Sequence, residues 1–270
     1  MIPGIDVSHW QSEIEWAKVA QTGVKFAFIK ATEFPLNRVT VSIDLNMRAN
    51  INGASQYGIL WGAYHFFRTH VDPVIQARTF CESVGTFSSL PPVLDLEVAG
   101  SKGTKLNEKV IYFLQEVERI TNRRPIIYTS CGFWRSYMMY NRRSDTDWAR
   151  IYPLWVAHYT YAWPNTVYPW AGWDFWQYSD KGKLPGIKTA VDLNWFIGSY
   201  DELNQRFIQD IGNKSADYED VLMNVEDDDY PPQAEQKDMP LRSDVIREKS
   251  ISESEDDWIK RYFFGEKSEN

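Results

Sequence analysis

Cysteine is almost missing from this chain of 270 residues; Cys81 and Cys131 are the only two. Two cysteines make neither a disulfide framework nor a metal-site spacing, so both read as reduced residues of the core or of a helix. Long apolar runs are missing too. None approaches the ~20 residues that cross a bilayer, which excludes a membrane span. No basic segment and apolar core precede the strand-like Gly4-Ile5-Asp6-Val7-Ser8. No signal peptide is therefore read, and the chain is expected to be a mature form or one not exported by that route. There is no Gly-rich phosphate loop, and Ser8 and Ser130 lack the elbow context of a serine nucleophile. His9, His65, His70 and His158 have no metal-ligand spacing and read as structural; His9 and His65, near strand ends, are placed to hydrogen-bond carboxylates. No basic stripe marks a nucleic-acid surface.

The net charge of −8 averages two unlike parts. Residues 210–270 hold 18 acidic and 8 basic side chains, whereas residues 1–209 hold 19 and 21. This division gives a near-neutral body, 1–212, and an acidic tail, 213–270. Glu226-Asp227-Asp228-Asp229-Tyr230-Pro231-Pro232 has little to bury and reads as a linker. Beyond it, Asp256–Phe264 gathers Trp258, Ile259, Tyr262, Phe263 and Phe264 at spacings that fit a short amphipathic helix. That cluster is either a docking peptide for a protein partner or a piece that folds back on the body.

What the body has in quantity is aromatic and β-branched sequence. Gly4–Ser8, Lys25–Thr32, Leu60–Phe67, the segment Pro91-Pro92-Val93-Leu94-Asp95-Leu96-Glu97, and Pro125–Ser130 read as five strands. Helical patterns over Glu13–Gln21, Ser42–Tyr57, Asp72–Gly85 and Lys105–Thr121 separate them. The strands are apolar throughout, as in a parallel sheet covered on both faces. Past Tyr140 the helices fade, but Leu154–Tyr159, Asp174–Ser179 and Val191–Ile197 read as three more strands, with Ser199–Gln209 a closing helix. The fold class is thus α/β: five βα units followed by three strands, eight in all, enough to close a barrel.

Asp95 and Glu97 interrupt an apolar strand and, two residues apart, share one face. Taken alone, they are either a site or a cap Asp with a solvent-facing Glu. In parallel barrels function sits at the C-terminal strand ends. The acids there are Asp6, Glu33, Asp95 and Glu97, joined by Asp192 if the first and eighth strands pair. Because Asp192 begins its strand, its place at the mouth is the weaker inference. Such clustering raises the proton affinity of some members. A protonated carboxylic acid beside an ionised one is what cleavage of a glycosidic bond requires. Tyr64, Tyr128, Trp155 and Trp176 lie near the same mouth, where flat aromatic faces suit sugar C–H faces, although each also fits core packing.

The segments GIDVSHWQ (4–11), KFAFIKATE (25–33), GAYHFFR (62–68), PVLDLE (92–97), PIIYTS (125–130), PLWVAHY (153–159), FWQYS (175–179) and VDLNWF (191–196) resemble, in order, the strands of glycoside hydrolase family 25, the Chalaropsis-type muramidases. The resemblance implies an irregular TIM-like barrel and hydrolysis of the β-1,4 bond between N-acetylmuramic acid and N-acetylglucosamine in bacterial peptidoglycan, without metal or organic cofactor. It also implies that Glu97 is general acid and then base. Asp95 assists the substrate N-acetyl group or attacks directly, and Asp6 and Asp192 hold hydrogen bonds and charge balance. The family's Thr-Glu-Gly after the second strand is absent; Phe34-Pro35 follows Glu33 here, so the shape of that side of the cleft does not carry over. A rival reading is a structural or wall-binding component of a phage particle, attached through 213–270. A third is an endo-glucosaminidase on a similar barrel. Action at the wall without a signal peptide implies release by lysis, a non-classical route or carriage on a virion.

Overall fold

The computed structural model describes residues 1–86, 89–159, 162–164 and 167–209. The expected linker, the Asp256–Phe264 helix and the tail 213–270 as a whole lie outside the described residues. Nine strands form one sheet: β1 (Ile2–Val7), β2 (Phe26–Glu33), β3 (Ser42–Ile43), β4 (Leu60–Phe66), β5 (Val93–Asp95), β6 (Ile126–Ser130), β7 (Leu154–Ala157), β8 (Phe175–Gly182) and β9 (Val191–Phe196). β1 pairs with both β2 and β9, so eight strands close into a barrel and β3 is an extra short strand on β2.

Four helices follow the early strands: α1 (Trp16–Gln21), α2 (Met47–Gln56), α3 (Pro73–Val84) and α4 (Thr104–Thr121). Their boundaries have local causes. Asp72 accepts from the Val74 and Ile75 amides, and Pro73 occupies the first turn, where a missing N–H costs nothing. α4 places Leu106, Val110, Phe113, Leu114 and Val117 on its buried face. After β6 a short helix, α5 (Cys131–Phe133), continues as a π turn over Trp134–Met138, and a 3-10 segment spans Arg143–Ile151. A last helix, α6 (Tyr200–Asn204), begins with a Ser199–Glu202 capping box and continues as a π turn to Gln209. None of the described helices is long and apolar enough to cross a membrane. Neither Cys81, which is buried, nor the half-buried Cys131 forms a disulfide among the described residues.

Strand alternation sorts the core in two. Ile5, Val7, Ala27, Ile29, Leu94, Leu96, Ile127 and Val156 join the layer shared with the helices. Phe26, Phe28, Val93, Ile126, Tyr128, Trp155, Phe175 and Phe196 fill the barrel itself. The barrel floor is solid: a Cβ at Gly4 would lie 2.3 Å from the Phe26 ring, and one at Gly62 3.0 Å from Phe28. Small residues on β1 and β4 make room for two phenylalanines on β2.

Two expectations are corrected. The last strand is not parallel: β9 runs antiparallel to β8 and β1. The link 183–190 is too short for the crossover of a dozen or more residues that a parallel return needs. The consequence is favourable to the site, because the beginning of an antiparallel strand lies at the mouth. Asp192 stands directly opposite Asp6. The second correction concerns residues 42–46. Ser42 and Ile43 pair with Glu33 and Thr32, and the helix starts only at Met47. Asp44 holds the turn between them, its carboxylate accepting from the Asn46 and His9 amides.

Candidate active site

Four of the acids converge at the mouth. Asp6 ends the inward row of β1, Asp192 opens β9 beside it, and Asp95 and Glu97 leave the end of β5, with Leu94 and Leu96 turned to the helices. Asp6 and Asp95 are buried, Glu97 and Asp192 half-buried. Burial therefore dominates their chemistry, because a carboxylate loses more on leaving water than a carboxylic acid does. It pushes Glu97 up to about 7, against the pull of Lys30 and Arg68 and with a further push from the Asp6 charge. It raises Asp95 well above the usual range, helped by Glu97 and opposed by Lys30. Asp192 is pushed up to about 9 by burial, then by the charge of Asp6, to which it hydrogen-bonds. Asp6 is raised by burial against hydrogen bonds from Asn194, Gln177 and Asp192. Among the described residues, the buried Oδ1 of Asp95 has no hydrogen-bond partner.

The fifth acid, Glu33, sits in an ion-pair group. It takes the Lys30 ammonium at 2.9 Å and lies 3.9 Å from Arg68. The Arg68 guanidinium is 4.3 Å and the Lys30 ammonium 5.4 Å from the centre of the Phe66 ring. Glu33 thus steadies the two cations whose charge reaches Asp95 and Glu97. The aromatic candidates divide. Tyr128 and Trp155 point into the barrel, their rings 4.4 Å apart, and Tyr64 packs at the edge of the same cluster within reach of the Asp6 and Asp95 charges. Trp176 faces the other way. It lies in the outer layer against Trp173 and Trp163, and its indole donates to the His158 carbonyl.

Sequence reasoning missed several neighbours. Lys30 and Arg68 are the compensating cations. Gln177 and Asn194 both donate to Asp6, and Tyr159 joins Tyr128 in donating to Gln177. Period-two counting from Phe175 and Asp192 would have placed Gln177 and Asn194 inward. Neither histidine near a strand end touches the four acids: His9 pairs with Asp44 at 2.7 Å, and His65 lies between Thr32 and Gln76. Burial lowers His65 to about 4. Among the described residues no group of His, Cys, Asp and Glu is arranged to hold a metal ion.

Residues 5–187 match the Glycosyl hydrolases family 25 profile. The chain belongs to glycosyl hydrolase family 25. It is 35% identical over 210 residues to lysozyme M1 of Streptomyces globisporus, covering 73% of this chain and 68% of that protein. It is 37% identical over 217 residues to the Escherichia coli K12 protein YegX, covering 78% and 74%. Its fold matches the crystal structure of a lysozyme from Streptomyces coelicolor with a TM-score of 0.67 at 34% identity, covering 75% of this chain and 94% of that one. As a family 25 member the chain is a glycoside hydrolase on an irregular TIM-like barrel.

Where this family 25 enzyme has Phe34-Pro35, the structure gives the substitution a role: Phe34 is buried with its ring edge-on to His65, 6.3 Å between centres. The acids themselves limit stability. A carboxyl whose proton affinity is raised on folding contributes most below its unfolded range near pH 4, and the contribution is lost as pH rises toward its folded value. For Asp192 that window runs from about pH 4 to about 9. Asp192→Asn should therefore raise Tm relative to the native enzyme by an amount that grows across this window. Calorimetry at several pH values checks it; a Tm difference independent of pH would contradict the assignment.

Proposed function

We propose that this glycoside hydrolase is a muramidase, cleaving the β-1,4 bond from N-acetylmuramic acid to N-acetylglucosamine in bacterial peptidoglycan. The observation that carries the reading is the Asp95–Glu97 pair: two carboxyl groups at one mouth, both with raised proton affinity, flanked by Lys30 and Arg68. Burial and mutual repulsion leave the pair short of full ionisation near neutrality. The unpartnered Oδ1 of Asp95 is a place for a donor, and the acetamido N–H of a bound sugar supplies one. A hydrogen bond to the ionised form favours ionisation, so substrate binding stabilises Asp95 as the anion and leaves the proton on Glu97. Glu97 then protonates the leaving glycosidic oxygen while Asp95 steadies the acetamido group as its oxygen closes on the anomeric carbon. In the second half Glu97 takes a proton from water. Tyr64, Tyr128 and Trp155 are proposed to line the sugar site, and Glu33 to act on it through Lys30 and Arg68. Trp176, in the outer layer, has no part in this reading.

Lysozyme M1 and the muramidases among the matched proteins support the substrate class. Mass spectrometry of digested peptidoglycan tests it: new reducing ends should be N-acetylmuramic acid. Reducing-end N-acetylglucosamine would instead assign a glucosaminidase. The pH profile is a second check. The active form holds a proton on Glu97, whose affinity is centred at about 7 in the free enzyme. kcat/KM should fall roughly tenfold per unit on the alkaline side of that value, and a profile flat to pH 9 would sink the assignment.

The role of 213–270 as a tether to a virion or another assembly is proposed from composition alone, an acidic stretch ending in an aromatic cluster. Removing Asp217–Asn270 should leave lysis intact and abolish assembly with the partner; lost lysis would make the tail part of the enzyme.

A further inference from the structure

Asp6 is held by two side-chain amides, Gln177 Nε2 at 2.9 Å and Asn194 Nδ2 at 2.7 Å, both donating to its Oδ2. Each amide is in turn gripped from behind. The Trp155 indole N–H donates to Asn194 Oδ1 at 2.8 Å. The Tyr128 and Tyr159 hydroxyls donate to Gln177 Oε1 at 2.7 and 2.8 Å. Gln177 and Asn194 are almost wholly buried, at 3% and 1% exposure.

The orientation of this chain of donors follows from chemistry. An indole N–H has no acceptor function, so Asn194 must turn its oxygen to Trp155 and its NH2 to Asp6. Gln177 likewise presents its NH2 to Oδ2 of Asp6, and its oxygen accepts from the two tyrosines. An oxygen that accepts two buried N–H bonds is a poor place for a proton. We propose that Gln177 and Asn194 are positioning residues for the hydrolytic reaction: locked by Tyr128, Tyr159 and Trp155, they fix Asp6 as the anion of the Asp6–Asp192 pair and leave the pair's proton on Asp192.

The anion matters because Asp6 faces Glu97. Around Glu97 stand Lys30 of β2, Arg68 after β4, Asp95 of β5, Asp6 of β1 and Asp192 of β9, with Tyr128 of β6 and Tyr159 after β7. Tyr64 of β4 faces Asp6 and Asp192, and Asp180 of β8 faces Asp192. Lys30 and Arg68 draw the proton off Glu97; a permanent charge on Asp6 holds it on. Without the two amides Asp6 takes up a proton more readily, and that hold weakens.

Two measurements test the inference. In the full chain, Gln177→Met and Asn194→Leu should each move the alkaline limb of the kcat/KM profile to lower pH by about half a unit to one unit, beyond any loss of kcat. Loss of kcat with the limb unmoved would overturn it. The second uses the native protein and needs no variant of the amides. In carboxyl-carbon NMR, with signals assigned through Asp6→Asn and Asp192→Asn, Asp6 should be ionised at pH 7 and Asp192 protonated; the reverse would overturn it. The kinetic arm rests on Glu97 as proton donor. The NMR arm does not, so failure of the proposed mechanism and failure of this inference give different results.

Discussion

Glu97→Gln should lose about 10²- to 10⁴-fold in kcat on peptidoglycan, the range expected when a positioned proton donor is removed. Glutamine keeps the shape and can still donate from its amide, so substrate binding and KM should change little. The variant should fold, and at neutral pH it should be more stable than the native protein. Burial lifts the Glu97 carboxyl to about 7, so part of the native population carries an unwanted charge in a partly desolvated place. Higher Tm together with lost turnover marks a group kept for chemistry rather than for folding. Turbidity loss of cell walls and a thermal melt on one preparation check both halves. Full activity in this variant would remove the central assignment.

Asp95→Asn should cost about 10²- to 10³-fold, the scale of a charge-stabilising interaction at a reacting centre. Asn retains an oxygen that can accept the acetamido N–H but has no charge, so comparing Asp95→Asn with Asp95→Ala divides the hydrogen bond from the charge. A second comparison separates the two roles open to Asp95. If it assists the acetamido group, replacing the carbonyl oxygen of that group on the substrate should be as damaging as the variant. If Asp95 attacks the anomeric carbon directly, trapping with a slow substrate should give a protein heavier by one sugar unit. The double variant Glu97→Gln, Asp95→Asn should lose far less than the product of the single losses, because the two groups act as one unit. Near-native turnover in Asp95→Asn would leave the pair with a single working member.

Much of this site was legible because acids are conspicuous on apolar strands. Asp6, Asp95 and Glu97 each interrupt a run of buried residues, and period two places them on the inward face. Asp192 was legible as a residue but not as a position, since strand direction depends on the length of the connection 183–190 rather than on the strand's own pattern. Trp176 shows where periodicity gives out. In Phe175-Trp176-Gln177-Tyr178 both faces are covered, so aromatic side chains occur on either parity and say nothing about which points inward. The polar exception, Gln177, was the informative residue in that stretch. Lys30 and Arg68 were illegible for another reason: their partners Glu33, Asp95 and Glu97 come from two strand ends, β2 and β5, which only the pairing of both strands with β4 brings together. The two-residue strand Ser42–Ile43 was hidden in a helix-compatible sequence, its pairing set by the end of β2.

The pairing of β1 with β9 also fixes when the enzyme can first work. Asp6 lies in the first strand of the sheet and Asp192 in its last, and they become neighbours only across the seam that closes the barrel. A nascent chain that has passed Glu97 already carries the proposed proton donor and its partner, yet it lacks β6 to β9, Gln177 and Asn194. Hydrolysis is thus expected of the closed barrel alone. Chains cut short before Val191 lack β9, and with it Asp192, Asn194 and the strand that closes the barrel on β1, so they should show no hydrolysis.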